Sequence, residues 1–343
     1  MKAITQDRYG SAEVLKTRDI ARPEIADDEV LVRVHAASIH IGDWVLMTGV
    51  PYVMRMGTGL SKPKNRVPGT DMAGTVEAVG TQVQGLRQGD EVFGWCTGAF
   101  AEYASAPEDQ FVKRPANLTL EQAAAVGVSA TTALQLLRDD AKVQPGQKVL
   151  INGASGGVGT FAVQIAKALG AEVTGVSSTK NLELVRSIGA DHVIDYTRED
   201  FRTGTERYDL ILDNVGDRSM SDTRGALTPN GTLISNGGGH SAGKLGRVIR
   251  ASLTSIFVRQ QARPSVKTQN RADLVALKEL VEAGKVTPVI GGTYPLGQTP
   301  EAIGHVATGH ARGTLVIAVV QPKADVMSAK TRNEMPVATV AVA

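Results

Sequence analysis

Three glycines, Gly156, Gly157 and Gly159, follow a short apolar run at residues 148–152. Apolar side chains then recur at helical spacing, and residues 172–176 are extended again. A turn without side chains lets a pyrophosphate approach bare backbone and the N–H groups that open the helix. This order of strand, glycine turn, helix and strand predicts a dinucleotide-binding βαβ unit, although a turn that only packs helix on sheet is the alternative. The predicted contacts are Ser155, Gly156, Gly157, Val158 and Gly159.

The residues after the second strand indicate which dinucleotide binds. An NAD site places Asp or Glu there to bind the ribose 2′-hydroxyl. This chain has Ser177, Ser178 and Lys180 at those positions, which supply hydroxyl groups and a cation for a 2′-phosphate. The sequence therefore predicts NADPH as the cofactor, with a solvated lysine at a helix start as the alternative for Lys180.

The first third of the chain has the pattern of short β-strands. Val30, Val32, Val34 and Ala36 alternate with Leu31, Arg33 and His35 in a period of two, and residues 72–79 form a second extended run. Frequent glycines cut this region into pieces of the length that a small open barrel needs. An alanine-rich helical segment begins at Leu120, and Pro145 with Gly146 ends it before the βαβ unit.

Beyond residue 180 helices and strands alternate. This order predicts a parallel, doubly wound sheet, with ligands at the carboxyl ends of its strands. Asn214 and Gly237 stand at two of those ends and are predicted to contact the cofactor. Residues 321–343 lack a helical pattern or an apolar face, so we predict that this tail is disordered.

Length and composition limit the classes of function. The 343 residues are enough for two hydrophobic cores, and a net charge of +2 is too small for a nucleic-acid-binding surface, so no nucleic-acid partner is predicted. Cys96 is the single cysteine, which excludes a disulfide framework and a cysteine cluster for structural zinc. No apolar run approaches the roughly 18 residues of a membrane span, which predicts a cytoplasmic location.

The basic segment 238–262 allows three interpretations. Lys244, Arg247, Arg250 and Arg259 interleave with apolar residues and predict an amphipathic helix. Such a helix makes a peripheral contact with an anionic membrane through residues 244–259, covers the mouth of the cleft, or packs against the edge of the sheet.

Seven stretches of residues 1–320 resemble the zinc-independent medium-chain dehydrogenases/reductases of the quinone oxidoreductase (zeta-crystallin-like) type. They are VPGTDMAGTVEAVG, GAFAEYASAP, GVSATTALQLL, INGASGGVGTFAVQIAKALGA, RSIGADHVIDY, DLILDNVG and GHARGTLVI. The resemblance implies an α/β fold in which a GroES-like β-rich substrate domain carries an inserted doubly wound Rossmann domain. The implied domains are 1–127 (substrate), 128–268 (Rossmann) and 269–320 (return to the substrate domain).

The resemblance also implies an activity. Such enzymes transfer hydride from NADPH to small-molecule quinones or α,β-unsaturated carbonyl compounds (enones). Thr132 is implied to lie near the nicotinamide, Tyr196 at the adenosine end, and Arg312 as a further cofactor contact. The alternative is a non-catalytic NADPH-binding protein that uses the same fold for a structural or regulatory role.

The positions that bind catalytic zinc in related dehydrogenases differ here. Those enzymes use a cysteine and, after a glycine, a His-Glu pair. This chain has His40 at the first position, and Thr70 with Asp71 after Gly69, so no soft tetrahedral ligand set remains and no metal is predicted.

Two residues are candidates for catalysis. His40 stands where the quinone oxidoreductases often carry Asn, and a histidine beside the nicotinamide is suited to donate a proton to the reduced substrate. A structural histidine bonded to nearby backbone is the alternative. Tyr52 lies in the loop at residues 50–68, which is either one wall of the substrate site or a solvated basic loop.

The assembly is predicted to be a monomer or a homodimer. Relatives commonly pair their last Rossmann strands edge to edge, and here that strand is residues 261–268. Pro264 has no N–H to donate to a neighbouring strand, so we expect any dimer to form elsewhere.

Overall fold

The computed structural model describes residues 1–216, 223–236, 261–263 and 268–320. Gly237, the basic segment 244–259, Pro264 and the tail 321–343 lie outside these residues. Among the described residues, no helix is both long and apolar enough to cross a bilayer.

Fifteen β-strands and eight α-helices have both ends within the described residues. The strands are β1 (Lys2–Thr5), β2 (Lys16–Asp19), β3 (Glu29–Ile39), β4 (Asp71–Val79), β5 (Glu91–Trp95), β6 (Tyr103–Pro107), β7 (Phe111–Lys113), β8 (Lys148–Asn152), β9 (Glu172–Ser177), β10 (His192–Asp195), β11 (Tyr208–Asp213), β12 (Leu227–Ser235), β13 (Gln261–Arg263), β14 (Ile290–Pro295) and β15 (Thr314–Ala318). The α-helices are α1 (Ile41–Thr48), α2 (Arg55–Thr58), α3 (Leu120–Ala124), α4 (Gly127–Leu134), α5 (Gly157–Ala168), α6 (Leu182–Ser187), α7 (Arg271–Glu282) and α8 (Thr299–Ala307).

The first large sheet is built around β3. Its strand order is β14-β15-β3-β4-β5-β7, and β6 pairs with the other part of β3. Val30, Val32 and Val34 are fully buried while Arg33 is exposed, as the period-two pattern predicts. The late strand β15 pairs with β3 in antiparallel orientation, so the chain returns to this sheet after the second domain.

The second sheet has six parallel strands in the order β10-β9-β8-β11-β12-β13. The strand order reverses between β8 and β11, which makes this position the switch point of a doubly wound fold. Alternate residues of β8 fill the cores on its two faces, with Val149 and Ile151 packed beside Phe161 and Leu150 beside Ile211. The predicted Rossmann arrangement is confirmed.

The helical segment that begins at Leu120 differs from the single helix that the sequence predicts. It divides into α3 and α4, followed by a π-helix at Gln135–Asp140. The break coincides with a contact to the first sheet, because the N–H of Val128 donates to the buried carboxylate of Asp71 at 2.9 Å. At the wider π-turn, the Gln135 amide donates to Asp273 at 2.6 Å. Tertiary hydrogen bonds from distant elements therefore set the shape of this segment.

Candidate active site

The glycine turn leaves its backbone open to a ligand. Gly156 is extended and α5 begins at Gly157, with no side chain in the described part of the chain capping this helix end. A Cβ on Gly156 would meet only the carbonyl oxygen of Gly153, at 3.5 Å. A Cβ on Gly159 would lie 2.1 Å from that same oxygen, so Gly159 is required for the helix to pack on the strand. The turn thus fits a dinucleotide pyrophosphate.

The hydroxyl and cationic residues predicted for the ribose end lie together after β9. Ser177 is buried, Ser178 is half-buried and Lys180 is exposed. Tyr196 joins them, because its backbone N–H donates to the carbonyl of Ser177 at 3.1 Å. Asn181 links this group to the glycine turn, since its amide donates to the Ser155 hydroxyl at 3.1 Å.

A carboxylate that the sequence pattern does not reveal also lies at this edge. Asp195 ends β10 and stands opposite Ser177 in the register of the two strands. Its oxygens accept hydrogen bonds from the hydroxyls of Thr179, at 2.5 Å, and Thr197, at 2.7 Å. The Thr179 bond is the main reason that the pKa of Asp195 is lowered, and the Arg198 cation adds to the effect. The carboxylate is therefore held by its own loop.

Asn214 is fixed at the switch point between β8 and β11. Its amide nitrogen donates to the Asn152 carbonyl at 3.2 Å, and its oxygen accepts from Asn236 at 2.9 Å. Beside it, Asp213 accepts from the Asn152 amide at 2.9 Å. These bonds hold the strand ends where the cofactor cleft is expected.

The return segment touches the glycine turn. The N–H of Gly313 donates to the carbonyl of Ser155 at 2.8 Å, and Gly313 forms an isolated bridge with Gly156. Arg312 is exposed next to this contact, whereas the hydroxyl of Thr314 is buried without a partner among the described residues. The predicted contact Arg312 therefore lies beside the turn.

Thr132 lies on α4, which packs against α5. Its side chain is buried, with an exposed fraction of 9%. Val158 follows Gly157 in the first turn of α5 and is half-buried. The two predicted contacts thus lie on α4 and α5, which pack against each other.

His40 is held by both ring nitrogens. Nδ1 accepts the N–H of Gly42 at 3.0 Å, and Nε2 lies 2.8 Å from the hydroxyl of Thr70. Because Nδ1 is an acceptor, the proton of the neutral ring lies on Nε2 and is donated to Thr70. The hydroxyl proton of Thr70 is then directed away from His40. Direct proton donation by His40, one of the two sequence-based interpretations, does not fit this arrangement.

Two buried carboxylates stand near His40. Asp43 accepts the backbone N–H of His40 at 2.9 Å, and burial raises its pKa. Asp71 accepts hydrogen bonds from Ser38 and Val128 on one oxygen, while its second oxygen has no partner in the described residues. Burial raises the pKa of Asp71 to about 6.

A cavity of about 250 Å³ opens beside this group. Thr70, Asp43 and Gln6 line it, and one side-chain oxygen each of Asp43 and Gln6 is buried without a partner among the described residues. The segment after α1 forms another wall, with Gly57, Thr58, Pro63, Lys64, Asn65, Val67 and Pro68 lining the cavity. Tyr52 is not part of this wall. It is 72% exposed, and the guanidinium of Arg55 lies 4.6 Å from its ring.

The comparisons with known proteins agree with this geometry. A family model described as an alcohol dehydrogenase GroES-like domain matches residues 26–116, and one described as a zinc-binding dehydrogenase matches residues 188–317. The 2-methylene-furan-3-one reductase of Solanum lycopersicum is 33% identical over 334 residues, which cover 92% of this chain and 79% of the relative. The quinone oxidoreductase of Homo sapiens is 33% identical over 329 residues, which cover 92% of this chain and 97% of the relative. The solved structure of the quinone oxidoreductase from Coxiella burnetii has a TM-score of 0.82 and 30% identity, with 93% of this chain and 99% of that chain covered.

The chain belongs to the zinc-independent medium-chain dehydrogenases/reductases of the quinone oxidoreductase type. His40 and Thr70 stand at positions that hold zinc in other dehydrogenases. In this chain the two side chains are hydrogen-bonded to each other.

The side chains around His40 in this quinone oxidoreductase-type chain are not suited to bind zinc, although one matching family model is described as a zinc-binding dehydrogenase. Both nitrogens of His40 are engaged, and one oxygen of Asp71 already accepts two hydrogen bonds. Burial raises the pKa of the nearby Cys96 thiol, which opposes the thiolate that a metal requires. The described part of the chain contains no group of three His, Cys, Asp or Glu side chains that is suited to a metal ion.

Asn181 and Thr70 are site residues whose roles the sequence did not reveal. An asparagine at a helix start is ordinarily interpreted as a cap. Here its amide reaches the glycine turn instead and caps nothing. Thr70 bonds to His40, which lies 30 residues earlier in the chain, so the sequence around Thr70 gives no sign of the contact.

Proposed function

We propose that this protein catalyses NADPH-dependent reduction of quinones or α,β-unsaturated carbonyl compounds without zinc. The single observation that carries the proposal is the Thr70 hydroxyl, which is oriented by His40 at the wall of the 250 Å³ cavity. Related proteins support the same chemistry, among them the NADPH-dependent alkenal/one oxidoreductase of Arabidopsis thaliana, 32% identical over 92% of this chain.

Different groups of described residues bind different parts of the cofactor. The glycine turn and the first N–H groups of α5 bind the pyrophosphate, and the Gly313 contact holds the turn in place. Ser178 and Lys180 bind the 2′-phosphate. When NADPH is bound, its nicotinamide ring supplies the hydride.

Thr70 then stabilises the charge that develops on the substrate oxygen. Because Nε2 of His40 donates to Oγ1, the hydroxyl proton of Thr70 is available as a donor to that oxygen. His40 is a positioning residue in this scheme, and Asp43 fixes its backbone. The proton that completes reduction comes from water. A cavity of about 250 Å³ is in the size range of a single substituted ring or a short enone.

The test is loss of NADPH absorbance with a panel of quinones and enones, for the wild type, Thr70→Val and Thr70→Ser. Removing one oxyanion donor costs about 10²–10³-fold in turnover, so Thr70→Val should lose that much, while Thr70→Ser keeps most activity. NADPH affinity, measured by fluorescence titration, should stay the same in all three. If the wild type binds NADPH but reduces no member of the panel, the non-catalytic NADPH-binding protein becomes the better description. Equal activity of Thr70→Val and wild type would refute the role of the hydroxyl.

We also propose a cytoplasmic monomer, or a homodimer that does not pair β13 edge to edge. β13 is the edge strand of the second sheet, and the proline that follows it in the sequence has no N–H to donate. Light scattering coupled to sizing tests the oligomeric state. The peripheral membrane contact predicted for residues 244–259 falls outside the described residues.

A further inference from the structure

The loop at residues 52–60 displays an unusual concentration of bare apolar side chains. Seven large hydrophobic side chains are exposed in the described part of the chain, and five of them lie in this loop. Their exposed fractions are 72% for Tyr52, 59% for Val53, 42% for Met54, 75% for Met56 and 75% for Leu60. A cluster of this kind on a soluble protein marks a contact surface.

The loop is tied firmly to the body of the protein. Tyr9 bonds the hydroxyl of Thr58 at 2.9 Å and the carbonyl of Gly59 at 2.7 Å. Arg55 donates to the carbonyl of Gly49 at 3.1 Å, and its guanidinium lies 4.4 Å from the Tyr9 ring. The apolar side chains therefore project from an anchored support.

The charged residues in the sequence around the loop have one sign. No acidic residue occurs between Asp43 and Asp71, a stretch that contains Arg55, Lys62, Lys64 and Arg66. Arg66 pairs with Asp7, at 3.0 Å. Lys62 and Lys64 are exposed, and neither has an ion pair among the described residues.

We propose that residues 52–60, flanked by Lys62 and Lys64, form a docking surface for an anionic lipid bilayer. Apolar side chains that enter the interface, next to lysines that meet anionic headgroups, are the combination that binds such a surface. A second copy of this chain is a poorer occupant, because two such surfaces would bring like charges together.

Docking would place the cavity next to the bilayer. Gly57, Thr58 and Lys64 lie in or beside the loop and also line the cavity. A quinone or enone that partitions into lipid would therefore reach the site without crossing water. This consequence rests on the proposed function, whereas the docking itself does not.

The experiment is cosedimentation of the full chain with phosphatidylcholine vesicles, with and without phosphatidylserine. The wild type should bind the phosphatidylserine vesicles, and the double variant Met56→Ser/Leu60→Ser should bind about tenfold or more weakly. The matched variant Met56→Leu/Leu60→Met keeps the apolar surface and should bind like the wild type. Lys62→Glu should also weaken binding about tenfold, whereas Lys142→Glu, the same charge change at an exposed lysine outside the loop, should not.

Three results would overturn the docking surface. They are absence of wild-type binding at low salt, undiminished binding by Met56→Ser/Leu60→Ser, and dimerisation that depends on the loop in the absence of vesicles.

Reduction of a water-soluble short-chain quinone distinguishes failure of this proposal from failure of the proposed function. The double serine variant should reduce it at the wild-type rate, and a wild type that binds vesicles but never oxidises NADPH would refute only the function.

Discussion

Lys180 places an exposed cation at the predicted ribose end of the cofactor site. It follows Ser178 in the 3₁₀ turn Thr179–Asn181, while the Asp195 carboxylate at the end of the neighbouring strand is engaged by threonine hydroxyls. A 2′-phosphate would meet the ammonium group and lose little to repulsion from that carboxylate. We therefore expect discrimination between NADPH and NADH to depend strongly on Lys180.

Replacing Lys180 with alanine should weaken NADPH binding by about 1–3 kcal/mol, the range for a charged hydrogen bond, and leave NADH affinity nearly unchanged. Fluorescence titration with both cofactors measures this difference. Lys142→Ala, at an exposed lysine elsewhere, is the control and should alter neither affinity. An equal loss for both cofactors would show that Lys180 does not contact the 2′-phosphate.

At the scale of elements, two glycines of one turn serve different purposes. Gly156 faces open space, whereas a Cβ on Gly159 would overlap the carbonyl oxygen of Gly153. A Cβ on Gly157 would meet the hydroxyl of Ser129 at 3.3 Å, on the side of α4. Gly156 leaves space for a ligand, and Gly159 allows α5 to pack against β8.

The variants Gly156→Ala and Gly159→Ala should therefore fail in different ways. Gly156→Ala should keep the wild-type melting temperature but bind NADPH more weakly, because its methyl group enters the space above the turn. Gly159→Ala should lower the melting temperature of the protein without cofactor, since a contact of 2.1 Å forces the helix away from the strand. Calorimetry and NADPH titration on both variants test this, and identical behaviour would contradict the assignment.

The local parts of this site were readable from the sequence. The glycine turn and the hydroxyls after β9 belong to one βαβ unit, so their spacing along the chain fixes their spacing in space. The break between α3 and α4 was not predictable, because it depends on Asp71 from a different sheet. The pairing of His40 with Thr70 was missed for the same reason: a contact between distant residues leaves no periodic pattern.

At the scale of the whole molecule, Asp71 connects the two halves of the protein. It belongs to β4 of the first sheet and accepts the N–H of Val128 at the start of α4. Gly127 must lack a side chain here, because its Cβ would lie 2.3 Å from the Asp71 carboxyl carbon. A position that holds zinc in other dehydrogenases thus joins two domains in this chain.

The stability of the protein should depend on pH through Asp71. Burial raises its pKa from 3.8 to about 6, so the native state holds the proton more tightly than the unfolded state. The stabilisation from this bound proton is fully present below pH 3.8 and is lost as the pH rises through about 6, which lowers the free energy of unfolding by about 3 kcal/mol. Relative to Asp71→Asn, the wild type should become less stable by most of that amount, about 2 kcal/mol, between pH 4 and pH 7.

Urea denaturation of both proteins across this pH range measures the difference. Asp109→Asn, a change at an exposed aspartate, is the control and should follow the wild type at every pH. A difference between wild type and Asp71→Asn that does not vary with pH would contradict the assignment of the proton to Asp71.

The pairing of β15 with β3 has a consequence for the order in which the ribosome makes this protein. Val316 pairs with Ser38 across the first sheet, and almost the whole chain separates the two residues. Helices and strands of the second sheet are synthesised in between, so that domain can fold before its partner is complete. Residues 36–39 of β3 must wait unpaired at that edge until β15 has been synthesised, and the nascent chain is most exposed to strand-to-strand aggregation during that interval.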